Sequence, residues 1–153
     1  MKNLALGILL ALAFTNAALA QECTSRLQGF VTATGYAVKM AKPCQVWVAT
    51  NALTIPRGEG VAGLLLIAQQ GEMAIVGVPV QTKAKLHLTA DQLRKLLQLN
   101  NDVDYVKVGI DHDGDLFVRS EVHVESITAE EFSATVQKVV AASSKAYEVI
   151  SSP

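Results

Sequence analysis

Two alternating apolar runs meet at a single Asp-Gly pair in "VKVGIDHDGDLFVRSEVHV", Val106 to Val124, and this leaves the chain little freedom of register. Val106, Val108 and Ile110 alternate with Tyr105, Lys107 and Gly109. Leu116, Val118, Val122 and Val124 alternate with Phe117, Arg119, Glu121 and His123. Alternation of this kind around Asp-Gly predicts a β-hairpin. A two-residue loop at Asp113-Gly114 would set Ile110 opposite Phe117 and Val108 opposite Arg119, mixing charge into the apolar face. A three-residue loop, His112-Asp113-Gly114, sets Ile110 opposite Leu116 and Val108 opposite Val118. Both apolar sets then share one face, as a half-buried sheet requires. The expected turn is type I followed by one left-handed residue, a conformation open to Gly114. Asp111 would cap the turn, and Phe117 would lie over Gly109.

The three aspartates Asp111, Asp113 and Asp115 also invite a calcium reading. An EF-hand loop needs glycine at its sixth position and glutamate at its twelfth. Counted from Asp111, the glycine comes fourth and the twelfth residue is Val122. The flanks alternate as strands do. The stretch therefore reads as a structural turn, with weak calcium binding as the competing reading.

Two segments elsewhere start alike, "LTADQLRKLLQLN" (Leu88 to Asn100) and "ITAEEFSATVQKVV" (Ile127 to Val140). Thr89 with Gln92, and Thr128 with Glu131, have capping-box spacing, and Leu88/Leu93 and Ile127/Phe132 occupy staple positions. Both predict helices. The first is expected to bury Leu93, Leu96 and Leu97. The second is expected to bury Phe132, Val136, Val139, Val140 and Tyr147 and to run to about Ile150. An earlier helical stripe, Cys23, Leu27, Phe30, Val31 and Thr34, stops at Gly35. A strand around Val46, Trp47 and Val48 follows Pro43. A loop punctuated by Pro56, Gly58, Gly60 and Gly63 comes next. Two nearly continuous apolar strands, Gly63–Ala68 and Met73–Val80, are expected to be covered on both faces or central in a sheet. Pro79 is expected to end pairing. The fold class is α+β, an antiparallel sheet of about five strands in the order α-β-β-β-α-β-β-α.

The N-terminus reads as an address. Lys2, an apolar run from Leu4 to Phe14 and Ala18-Leu19-Ala20 form a secretory signal peptide, residues 1–20, removed on export. The run is shorter than the roughly 20 residues a spanning helix needs. Glu22 before Cys23 argues against a lipid anchor. Residues 21–153 would form one domain, periplasmic or secreted, without a transmembrane segment. In that setting Cys23 and Cys44 are expected to pair, closing a loop that stabilises by about 3 kcal/mol. Two buried thiols or a metal pair are the alternatives. The net charge of −1 and the lack of a basic run argue against a nucleic-acid partner.

No G-x-S-x-G, phosphate loop or H-E-x-x-H occurs. His87, His112 and His123 lack ligand spacing, and no catalytic residue, cofactor or metal site is assigned. The stretch "DYVKVGIDHDGDLFVRSEVHVESITAEEF", Asp104 to Phe132, resembles the YbjN family and, more distantly, type III secretion chaperones. The shared pieces are a strand, a D-x-D-G-hydrophobic turn, a second strand and an "lT-x-E-x-[LF]" helix start. With "LTADQL" the resemblance spans most of residues 21–153, and the export signal and cysteine pair depart from the family's pattern. The resemblance implies an α+β domain, often dimeric, that binds other polypeptides or regulates without known chemistry. The leading expectation is thus an exported non-enzymatic binding domain, with a protein, a peptide or a second copy as partner. Its candidate contact face carries Tyr105, Lys107, Phe117, Arg119, Glu121 and His123. A secreted enzyme or small-molecule-binding protein with a site assembled from distant residues, and a weak calcium-binding envelope protein, are the alternatives.

Overall fold

The computed structural model describes residues 25–152. The expected leader and cleavage site lie outside the described residues, as does Cys23 and with it the expected Cys23–Cys44 bond. Ser25 caps the first helix, α1 (Arg26–Ala33), by accepting from the Gln28 N–H. Leu27, Phe30 and Val31 are buried along its expected stripe. The chain leaves α1 through Gly35 at φ 75°. It then forms β1 (Val38–Lys42), β2 (Val46–Ala49), β3 (Leu65–Gln70) and β4 (Met73–Gln81). Next come α2 (Ala90–Asp102), β5 (Lys107–Ile110), β6 (Leu116–His123) and α3 (Ala129–Ser151). All neighbouring strands are antiparallel, in the spatial order β1-β2-β3-β4-β6-β5.

The expected α+β class holds, with six strands in place of about five. The additional strand is β1, "VKMAK", which is exposed from Lys39 onward. An edge strand protected by lysines carries no buried alternation that could reveal it.

The three α-helices of the described residues lie on one face of the sheet. α3 crosses β4 and β6, with α1 and α2 packed beside it. Phe132, Val136, Val139, Ala142 and Ala146 of α3 are buried there. Trp47 enters this core from β2, and its Nε1 donates to Gln28 Oε1 of α1 at 2.6 Å. Arg26 ties α1 to the start of α3 by donating to the Ile127 carbonyl at 2.8 Å.

Both capping boxes form as expected, Thr89 with Gln92 and Thr128 with Glu131. The buried face of α2 is different from expectation. Leu96 is buried, joined by Gln92 and Leu99, whereas Leu93 and Leu97 remain 45% and 60% exposed. Gln92 supplies the reason. Its Oε1 accepts from the Thr89 N–H at 2.9 Å, and its Nε2 donates to the Ser152 carbonyl at 2.9 Å. These bonds turn the 92–96–99 face inward and leave the 93–97 face outside. On the exposed side, Lys95 donates to Asp91 at 2.8 Å and holds that carboxyl below its ordinary range.

β3 and β4 are central, yet helices cover only one side of them. Along β4 the residues alternate between buried and half-buried. Pro79 does not end pairing altogether: the β3 ladder stops at Gly77, while Pro79 still faces Phe117 on β6. The Pro79 carbonyl turns instead to the Gly63 N–H at 2.7 Å.

The hairpin has the expected register, with Ile110 opposite Leu116 and Val108 opposite Val118. Asp111 and Asp115 close the ladder through the Asp111 N–H and Asp115 carbonyl at 3.0 Å. Asp111 Oδ1 accepts from the N–H groups of Asp113 and Asp115 at 3.0 and 2.9 Å. Gly114 sits at φ 90°, where an added Cβ would lie 2.8 Å from Lys83 Cδ. Gly114→Ala is therefore expected to lower the unfolding free energy by about 1–2 kcal/mol. The check is the urea midpoint, read at unchanged denaturant slope.

Candidate functional site

The face of the sheet turned away from the helices is built row by row from cross-strand partners. One row crosses all six strands: Lys39, Val48, Leu66, Gly77, Arg119, Lys107. A second runs Lys42, Val46, Ala68, Ile75, Glu121. A third sets Pro79, Phe117 and Gly109 side by side. The centre of this face is apolar and half-buried, because neighbouring strands cover it and helices do not. A hollow of about 210 Å³ opens over Gly77, walled by Leu66, Ile75, Pro79, Phe117 and Arg119.

Five of the six expected contact residues meet here. Lys107 and Arg119 both pair with Glu121, at 3.2 and 3.1 Å. The Arg119 guanidinium lies 4.9 Å from the centre of the Phe117 ring. Phe117 covers Gly109 as expected; a Cβ on that glycine would lie 3.1 Å from the ring. His123 contacts Glu72 at 2.9 Å. Exposed pairs of this kind contribute little stability, and their effect is to orient the side chains.

Tyr105 departs from the group. It takes φ 65°, which breaks the alternation before β5 begins, and it is 85% exposed. Its ring lies 5.5 Å from Lys138 Nζ on α3. It thus belongs to a different feature, an open cleft of about 430 Å³ shared with Glu121, His123, Ser126, Glu131 and Lys138. In that cleft Glu131 is occupied by its capping box, Glu121 by Lys107 and Arg119, and His123 by Glu72. His87 is not among its lining residues.

The apolar half of the open face, on β2, β3 and β4, escaped sequence reasoning. Runs such as "VAGLLLIA" and "MAIVGVPV" are apolar at both alternating positions, and nothing within them marks which side meets helices. Two of the three hairpin aspartates are drawn into the backbone. Asp111 holds the turn, and Asp115 accepts from the Lys83 N–H at 2.8 Å. Among the described residues no group of three or more His, Cys, Asp or Glu is gathered for a metal ion. No described helix is long and apolar enough to cross a membrane.

The outer edge of β5 is closed by a side chain. Asn100 of α2 accepts from the Val108 N–H at 2.7 Å and donates to the Val108 carbonyl at 3.1 Å. It satisfies two of the groups that a further strand would otherwise pair with.

The family model for YbjN, described as "Putative bacterial sensory transduction regulator", matches residues 25–152. Among solved structures the chain is similar to a crystal structure of YbjN from E. coli, described as a putative transcription regulator. The TM-score is 0.56 and the identity 16%, over 80% of this chain and 89% of that one. That identity supports the fold alone. No curated protein matches the chain.

Asn100→Ala is expected to cost about 1–3 kcal/mol by leaving the Val108 backbone groups unpaired. It should also raise concentration-dependent association through the opened edge. Urea unfolding checks the first effect and sedimentation velocity the second.

Proposed function

This chain belongs to the YbjN family, and from that premise we propose that it is an exported, non-enzymatic binding domain whose open sheet face docks a protein or peptide. The family description speaks of regulation, a role exercised through contact with other molecules. One observation carries the reading: a six-strand sheet keeps an apolar, half-buried centre uncovered on one side, between charged residues at both ends of one row. Apolar surface gathered on a face and rimmed by polar side chains is the usual mark of an interaction site. The acid and base candidates on this face are engaged, Glu121 with two cations and His123 with Glu72. That arrangement suits recognition better than proton transfer. A second copy of the chain is one occupant the face can take.

Export rests on Lys2, the Leu4–Phe14 run and Ala18-Leu19-Ala20. The domain then comprises residues 21–153 in a periplasm or outside the cell. There the Cys23–Cys44 bond would fasten the segment before α1 to the turn between β1 and β2.

Intact-mass measurement on protein from an envelope fraction should give a chain beginning at Gln21, two hydrogens lighter than the reduced form. A chain retaining Met1–Ala20 would sink the export reading. For the face itself, Phe117→Asp is expected to lose the polypeptides captured by the wild-type protein from envelope extract, and to lower the mass seen in light scattering if the occupant is a second copy. Equal capture and unchanged mass, with melting preserved, would remove the open face as the contact surface.

A further inference from the structure

We infer that the open face is built for a polypeptide segment that is apolar and acidic, its carboxylates meeting Lys39, Arg119 and Lys107 and one large apolar side chain entering the hollow over Gly77. This rests on the reading of the face as a docking surface and adds the chemistry of what docks.

Charge comes first. The whole chain carries a formal −1, yet the two central rows of this face hold four cations, Lys39, Lys42, Arg119 and Lys107, against one carboxylate, Glu121. A second carboxylate, Asp111, borders the hollow, and its Oδ1 is taken by the N–H groups of the turn. Glu121 is shared by Lys107 and Arg119, and among the described residues Lys39 has no ion pair. A positive surplus on one face of a negative protein steers anionic partners to that face. Lys39 and Lys107 sit on opposite edge strands, five strand spacings or about 24 Å apart. A segment laid across the strands meets a cation at each end and apolar side chains between.

The shape selects further. The hollow of about 210 Å³ exists because Gly77 has no side chain between Leu66 and Arg119. It is smaller than the roughly 300–1,000 Å³ of sites that enclose free small molecules. A single leucine-sized side chain suits it. At its rim the Arg119 guanidinium rests against the Phe117 ring, and its Nε is buried without a hydrogen-bond partner. Glu121 on Nη2 and the Phe117 ring hold the planar fork beside the hollow, and a carboxylate adjoining the inserted side chain can reach its remaining outer nitrogen, Nη1.

A lipid surface fits less well. Insertion into a bilayer calls for large apolar side chains that protrude. Among the described residues the exposed large hydrophobics are Met40, Val61, Leu93, Leu97, Tyr105 and Ile110, and none of them stands in the rows of this face. Its apolar groups are recessed instead.

Two labelled synthetic peptides test the idea by fluorescence anisotropy on the purified protein. One alternates leucine with glutamate, and its twin alternates leucine with lysine. The glutamate peptide is expected to bind at least about tenfold more tightly, with the gap shrinking as salt screens the charges. Lys39→Glu combined with Lys107→Glu, both at exposed positions, should reverse the preference while leaving the melting transition in place. Equal binding of the twins in wild type and variant would overturn the acidic partner and leave a charge-blind docking face standing. Binding of neither peptide would also overturn it, and so would tighter binding to phosphatidylglycerol-containing vesicles than to the glutamate peptide. Loss of the docking reading itself is a separate result, seen when Phe117→Asp leaves capture unchanged.

Discussion

The Asp111 carboxylate is the small constraint on which the sheet depends. By accepting two N–H groups inside the turn it fixes how β5 returns as β6. β6 then pairs on its other side with β4, so the hairpin register passes into the centre of the sheet. A slip of one residue would send Leu116 and Val118 to the open face and Phe117 and Arg119 into the core. The neighbouring Asp115 carries the constraint further, because its carboxylate takes the Lys83 N–H and anchors the crossing from β4 to α2. Of three aspartates that look like ligands in one dimension, two bind backbone N–H groups in three.

The parts of the fold that were legible in the sequence are those set by local chemistry. The Thr89 and Thr128 capping boxes, the stop at Gly35 and the bulged turn at Gly114 each involve residues a few positions apart. Misreadings began where a distant partner decided the outcome. Leu93 and Leu97 continue an apolar pattern, but Gln92 reaches the far end of α3 and turns the helix away from them. β1 is recognisable only once β2 lies beside it. Tyr105 continues the alternation on paper, while its positive φ places it at another feature. The charged half of the open face was visible from the polar positions of the hairpin. Its apolar half was hidden by the uniformity of β3 and β4.

The one-sided placement of helices ties architecture to use. The three described α-helices share the inner face, where α3 packs on β4 and buries its Ala142 and Ala146. The outer face is left to the strands alone, so its composition is free of the demands of helix packing. It can carry a cationic rim and a bare glycine at its middle because no helix must be seated there. The closed β5 edge complements this: with Asn100 filling the place of a further strand, contact at that edge through strand pairing is discouraged and contact through the face is favoured.

Trp47 lends the molecule a built-in optical reporter. It is the sole tryptophan of the chain, it is fully buried, and its indole N–H is held by a glutamine of the first helix. Its strand neighbours Val46 and Val48 point the opposite way, into the open face. The indole therefore lies one backbone thickness beneath the surface where a partner would sit. Its emission follows detachment of α1 from the sheet, and a partner resting on the outer face without bending the strands leaves it dark to the event.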